Sequence, residues 1–214
     1  MGMPVSFTHG EIFQPPPPPV EGGWGGGDGP GGRGSSRRAS FTGLLVLLAA
    51  TTMVFAAFTG AFVVRRGMSD DWVTTQKPFI LWLNTAVLLL SSVALDRSRH
   101  ALKAGHRAKF NFWWTAATAL GIVFLAGQAL AWRQLSQAGV YAASNPSSSF
   151  FYVLTAAHAF HLVGGLAALI YVDMQALRLR LGPAKRTAID VTAVYWHFLD
   201  GLWVYLMVLL FVWG

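Results

Sequence analysis

Four side chains stand out in a chain that has few ionisable groups within its long apolar runs. His158 and His161 are three residues apart, and so are His197 and Asp200. On a helix that spacing puts both members on one face, about a turn apart. Polar groups at membrane depth are expensive and face the protein interior or a partner. Three chemistries fit. A bis-histidine haem b site would take one axial ligand from His158 or His161 and the other from His197. A metal site would draw on the same residues. In the third reading the histidines hydrogen-bond between helices and His197 pairs with Asp200, with proton handling as a second role. A di-iron bundle would need Glu-x-x-His on paired helices, and the sequence has none. Without cysteine there is no thiolate metal site, iron–sulfur cluster or covalent haem attachment. The structural or proton-handling reading of His158, His161, His197 and Asp200 is the one adopted. No catalytic, cofactor-binding or metal-ligating residue is assigned to the chain.

The elements that hold these residues are set by the solvent. The 214 residues are 54% hydrophobic and 12% charged, with a mean hydropathy of +0.46. Soluble domains carry about a quarter charged residues, so a soluble enzyme is excluded on composition. Five stretches are long enough to cross a bilayer, which takes about 20 apolar residues: Phe41–Val64, Pro78–Leu95, Phe110–Trp132, Ser149–Val172 and Val191–Trp213. Backbone groups in lipid must be paired internally, so the spans are helices. The ten-residue alternation of a membrane barrel is absent. The expected fold is an all-α integral membrane bundle of five transmembrane helices.

Lysine and arginine set the orientation. Twelve of the 16 lie before span one, between spans two and three, or between spans four and five. The remaining four, Arg65, Arg66, Lys77 and Arg133, lie on the other side. This predicts a cytoplasmic N-terminus and a periplasmic C-terminus. The net charge of +7 thus speaks of topology and anionic lipid, with no nucleic acid as partner.

Residues 1–40 hold 11 of the 23 glycines and 7 of the 10 prolines. Such a segment cannot bury a core and is expected to be a disordered cytoplasmic tail, leaving 41–214 as the membrane domain. Asn84 and Gln128 are expected to bond across helices. Gly164, Gly165 and Ala168 are expected to allow close helix approach. Trp72, Trp82, Trp113, Trp114, Trp132, Tyr171, Trp203 and Trp213 gather near span ends and are mostly expected to anchor at the interface.

Four blocks together carry a resemblance to a known family. They are Phe55-Ala56-Ala57-Phe58-Thr59-Gly60-Ala61-Phe62 with the exit of span one, Leu81-Trp82-Leu83-Asn84-Thr85, the stretch from Ser148 through His158 and His161 to Gly165, and Tyr195-Trp196-His197-Phe198-Leu199-Asp200-Gly201-Leu202-Trp203. Over about residues 41–214 the chain resembles subunit III of cytochrome c oxidase, in the five-helix bacterial form. The resemblance implies a non-catalytic structural subunit of an aerobic haem-copper oxidase. Such a subunit stabilises subunit I and supports proton uptake while the complex reduces oxygen to water. It implies no cofactor in this chain, haem and copper in partner subunits, and bound phospholipid. The implied partners are oxidase subunits I and II, membrane lipid and a larger respiratory supercomplex. The implied location is the bacterial inner (plasma) membrane. The equivalent subunit of a quinol oxidase or nitric oxide reductase shares these features. Two positions depart from the family pattern. Thr51-Thr52-Met53 stands where a glutamate commonly precedes Met or Phe, and Ala131, where an acidic residue is frequent, precedes Trp132.

Overall fold

The computed structural model of the chain describes residues 32–68, 79–141, 145–178 and 183–213. It contains α1 (Gly32–Gly67), α2 (Ile80–Lys103), α3 (Arg107–Gln137), α4 (Pro146–Leu177) and α5 (Pro183–Trp213). All five are long and apolar enough to cross a membrane. The fold is the expected all-α five-helix bundle.

Most of the helices outrun their apolar stretches. α3 has 31 residues and α4 has 32, more than the roughly 20 that cover a bilayer core. α1 starts at Gly32, so residues 32–40, grouped with the tail on composition, are helical; residues 1–31 lie outside the described residues. Hydropathy marks where lipid ends. A helix continues into the interfacial zone for as long as its backbone bonds close.

Local chemistry sets the ends. α2 and α3 both stop at a glycine in the left-handed region, Gly105 (φ 78°) and Gly139 (φ 77°). Their amides bond back to Leu102 (3.1 Å) and Ser136 (3.1 Å), and the next residues, His106 and Val140, bond to Ala101 (2.9 Å) and Leu135 (3.0 Å). This is the double bond of a glycine-terminated helix, available at low cost only without a Cβ. α4 begins with a capping box. The Ser148 amide donates to Asn145 Oδ1 (2.9 Å), and the Asn145 amide donates to Ser148 Oγ (3.2 Å). Pro146 supplies the first helical residue, where its missing N–H is no loss.

α2 to α5 form an up-and-down four-helix ring, each packed on the next and α5 closing onto α2. α1 lies outside this ring and, among the described residues, meets only α4 and α5. Phe55 packs on His161 (ring centroids 5.6 Å apart) and Phe62 on Phe150 (5.5 Å), so α1 is antiparallel to α4. Its buried stripe is Leu44, Thr51, Phe55 and Phe62, while Val46, Met53 and Val64 are exposed. That outer face suits hydrocarbon.

The ring is filled by aromatics. Trp114, Trp196 and Trp203 are fully buried with Phe110, Phe124 and Phe151. Each tryptophan N–H crosses to another helix: Trp114 to the Leu169 carbonyl (3.0 Å), Trp196 to Ser91 Oγ (3.1 Å) and Trp203 to Thr85 Oγ1 (3.0 Å). The expectation of interface anchors therefore fails for Trp114 and Trp203, although Trp82 is exposed as expected. Position along a span fixes depth in the bilayer; rotation about the helix axis fixes whether a ring meets lipid or core. Trp72 and the Trp213 side chain lie outside the described residues. Gly165 packs tightly on Leu199 and Trp196, as its small size suggests, but Gly164 faces open space.

Candidate functional site

α2 and α5 carry a polar cluster at the end of the bundle where the α2–α3 turn lies. Ser92 and Asp96 are four apart on α2 and share a face. His197 reaches them from α5. Its Nδ1 lies 2.5 Å from Ser92 Oγ and its Nε2 lies 3.1 Å from Asp96 Oδ1. With Nε2–H donating to the carboxylate, Nδ1 accepts from the serine hydroxyl, and a neutral imidazole satisfies both contacts. Asp96 also pairs with Arg99 (3.7 Å), whose other arm holds Asp190 of α5 (3.3 Å). Asp96 is half-exposed, Arg99 and His197 less so. The cluster thus runs from the helix surface inward and ties α2 to α5 at two levels.

Asp200 lies one turn further along α5 and is buried, 4% exposed. Ser92 stands beside its carboxylate, outside hydrogen-bonding geometry, and neither carboxylate oxygen has a hydrogen-bond partner. The expected His197–Asp200 pair does not form. Three residues on a helix is close to a full turn, but the remaining rotation of about 60° sends Asp200 into the ring and His197 toward α2. His197 then finds a carboxylate on the neighbouring helix.

His158 and His161 are also separated. His158 is fully buried in a cluster with Phe124 (6.2 Å) and Trp203 (5.0 Å), which also touch each other (5.0 Å), and both its ring nitrogens are unpartnered. His161 lies at the α1 side. Its Nδ1–H donates to the Ala157 carbonyl (2.8 Å), and its ring packs on Phe55. The three membrane histidines therefore have three different surroundings: a three-ring cluster, the α1 seam and the α2–α5 clamp. A bis-histidine haem site would need two of them facing one slot; here each ring packs against a different set of partners. Among the described residues, no group of three or more His, Cys, Asp or Glu side chains could hold a metal ion.

Asn84 and Gln128 are buried, but Asn84 Nδ2 and both Gln128 side-chain polar atoms lack partners. Asn84 instead lies against Gly127, where a Cβ would collide with its amide. The expected cross-helix bonds are made by tryptophan, serine and threonine. Ser92, Asp96 and Asp190, which the sequence reading passed over, carry the clamp. Their one cue was spacing: Ser92 and Asp96 at i and i+4, at the end of the second span.

The four-helix ring with its outlying α1, and the His197 clamp on α5, coincide with the blocks that carried the family resemblance. The model of the family described as cytochrome c oxidase subunit III matches residues 40–214. The chain belongs to the cytochrome c oxidase subunit III family. Cytochrome c oxidase subunit 3 of Thermostichus vulcanus is 29% identical over 174 residues, covering 79% of this chain and 85% of that one. A Nocardia farcinica protein named "Probable cytochrome c oxidase subunit 3" is 30% identical over 166 residues, 76% of this chain and 82% of that one. Cytochrome c oxidase subunit 3 of Synechocystis is 27% identical over 177 residues, 79% and 74% of the two chains.

Within this subunit III chain, the two threonines at the glutamate position part company. Thr51 is on the buried stripe of α1, 1% exposed, with its hydroxyl unpartnered. Thr52 is exposed and donates to the Leu48 carbonyl (2.8 Å). Only Thr51 sits where a side chain would enter the bundle. Ala131 is buried on α3, so a small residue fills the second departure.

Proposed function

We propose that the chain is the non-catalytic structural subunit of an aerobic respiratory cytochrome c oxidase. It packs beside subunits I and II, which carry haem and copper, and stabilises subunit I during proton-coupled reduction of oxygen to water. The family match over the whole bundle carries this reading. It is supported by side chains that serve helix packing: three tryptophan N–H bonds and a histidine clamp, all between helices. The proposed location is the bacterial inner membrane, with the N-terminus cytoplasmic, the C-terminus periplasmic and residues 1–31 forming a tail. Subunit association extends to a larger supercomplex in this reading, and phospholipid fills the surfaces that no subunit covers.

His158, His161, His197 and Asp200 act structurally, with proton handling as the competing role. The string Asp96–His197–Ser92 that ends beside buried Asp200 gives that competitor its one specific observation. The test of the main reading is affinity purification through a tag on this chain. Subunits I and II should co-purify in equal amounts, with haem and copper absent from this chain once it is dissociated. A quinol-oxidising complex, or one reducing nitric oxide, would replace the cytochrome c reading while leaving the subunit's structural role in place.

A further inference from the structure

Asp200 is an ionisable group sealed inside the ring, 4% exposed, with neither carboxylate oxygen hydrogen-bonded. A carboxyl at membrane depth changes charge only if its proton has a route to water. The groups beside it form a string toward one end of the bundle. Ser92 of α2 stands next to the carboxylate. Ser92 Oγ lies 2.5 Å from His197 Nδ1, and His197 Nε2 lies 3.1 Å from Asp96 Oδ1. Exposure rises along the string: Ser92 is half-buried, the His197 side chain is 30% exposed and that of Asp96 53%. The other ionisable groups nearby have partners of their own. Arg99 bridges Asp96 (3.7 Å) and Asp190 (3.3 Å), and His100 Nδ1–H donates to the Asp96 carbonyl (2.8 Å). Arg97 is turned onto the Trp113 ring of α3, and His158 of α4 packs on Phe124 and Trp203.

We propose that the Ser92 hydroxyl and the His197 imidazole form a relay through which buried Asp200 exchanges its proton with Asp96 at the α2–α3 end of the bundle. A hydroxyl and a neutral imidazole each accept at one position and donate at another, which is what a relay needs. With Asp200 in its acid form turned onto Ser92 Oγ, its proton passes to Oγ while the hydroxyl's own hydrogen passes to His197 Nδ1. The imidazolium then releases its Nε2 proton to Asp96. One O–H bond is lost at Asp200 and one is gained at Asp96; Ser92 ends as a hydroxyl and His197 as the neutral Nδ1–H tautomer. No hydrogen bond holds the Asp200 oxygens back from that turn. The relay serves local exchange and takes no part in oxygen reduction, so its failure leaves the proposed structural role in place.

The test moves the purified complex carrying this subunit from light into heavy water and follows it by infrared spectroscopy. The Asp200 band is the carboxylic acid band missing from Asp200→Asn, and it shifts down as deuterium replaces the proton. Ser92→Ala should slow that shift by about tenfold or more, the equivalent of one hydrogen bond lost from the path. His197→Gln still hydrogen-bonds to Ser92 and Asp96 but takes up no proton, and it should slow the shift as much. Ser92→Thr, which keeps the hydroxyl, should exchange at the wild-type rate. A clamp with a structural role alone would leave exchange in His197→Gln unchanged. Rates are compared in preparations that retain the subunit, and where Ser92→Ala loses it, His197→Gln decides. Wild-type exchange in His197→Gln would overturn the proposal. So would the absence of an Asp200 acid band at every pH at which the complex stays intact.

Discussion

His197 of α5 and Asp96 of α2 meet at 3.1 Å across the seam of the bundle, although a carboxylate three residues away on α5 was the obvious partner. Asp96 is held in turn by Arg99, which also grips Asp190. α5, the helix that contacts α1, α2 and α4, is thereby fixed in rotation as well as position.

The clamp should be measurable as a coupling. Interhelical hydrogen bonds in membrane proteins average about 0.6 kcal/mol and reach about 1.7. His197→Ala, Asp96→Ala and the double variant should show a coupling in that range when the purified complex is unfolded in denaturing detergent. Strict additivity of the two single changes would mean that the contact contributes nothing.

Gly127→Ala should destabilise the α2–α3 hairpin. A Cβ there collides with the Asn84 amide, and overpacking of a tight core costs about 1–3 kcal/mol. Asn84→Ala in the same chain should relieve most of the loss. A Gly127→Ala protein as stable as wild type, by thermal denaturation of the complex, would show that the helices separate freely.

Asp200→Asn separates a structural role from proton handling. An ionised aspartate at membrane depth costs at least about 2.5 kcal/mol on insertion scales, so its retention without a hydrogen-bond partner calls for a reason. In a structural role the substitution lowers retention of the subunit, while enzyme that keeps it turns over normally at first. In a proton-handling role retention is normal and the initial rate falls. Subunit ratio and initial oxygen consumption on one preparation decide, and the structural outcome is expected.

The charge asymmetry predicts the proposed orientation. A reporter active only outside the cytoplasm should be active when fused after Gly214 and silent when fused at Lys103. The reverse pattern would invert the topology.

The number of helices was written in the sequence. Long apolar runs in lipid leave the backbone no alternative to helix, and the runs were countable. The aromatic-rich blocks around His158 and His197 also carried the family. Which residues touch was decided only by tertiary structure. His197 and Asp200 share a helix face on paper, yet a rotation of about 60° gives one to α2 and the other to the ring. Trp114 stands near a span end like an anchor, yet it faces inward; Trp203, grouped with it, is mid-span and is also buried. Asn84 and Gln128 looked like the polar links, but serine, threonine and tryptophan make them. Periodicity fixes relative angles within one helix, while the absolute rotation of each helix is set by what its neighbours can accept. Gly121, Gly127 and Gly165 show where that choice was made: at each, a neighbouring side chain occupies or crowds the space a Cβ would need.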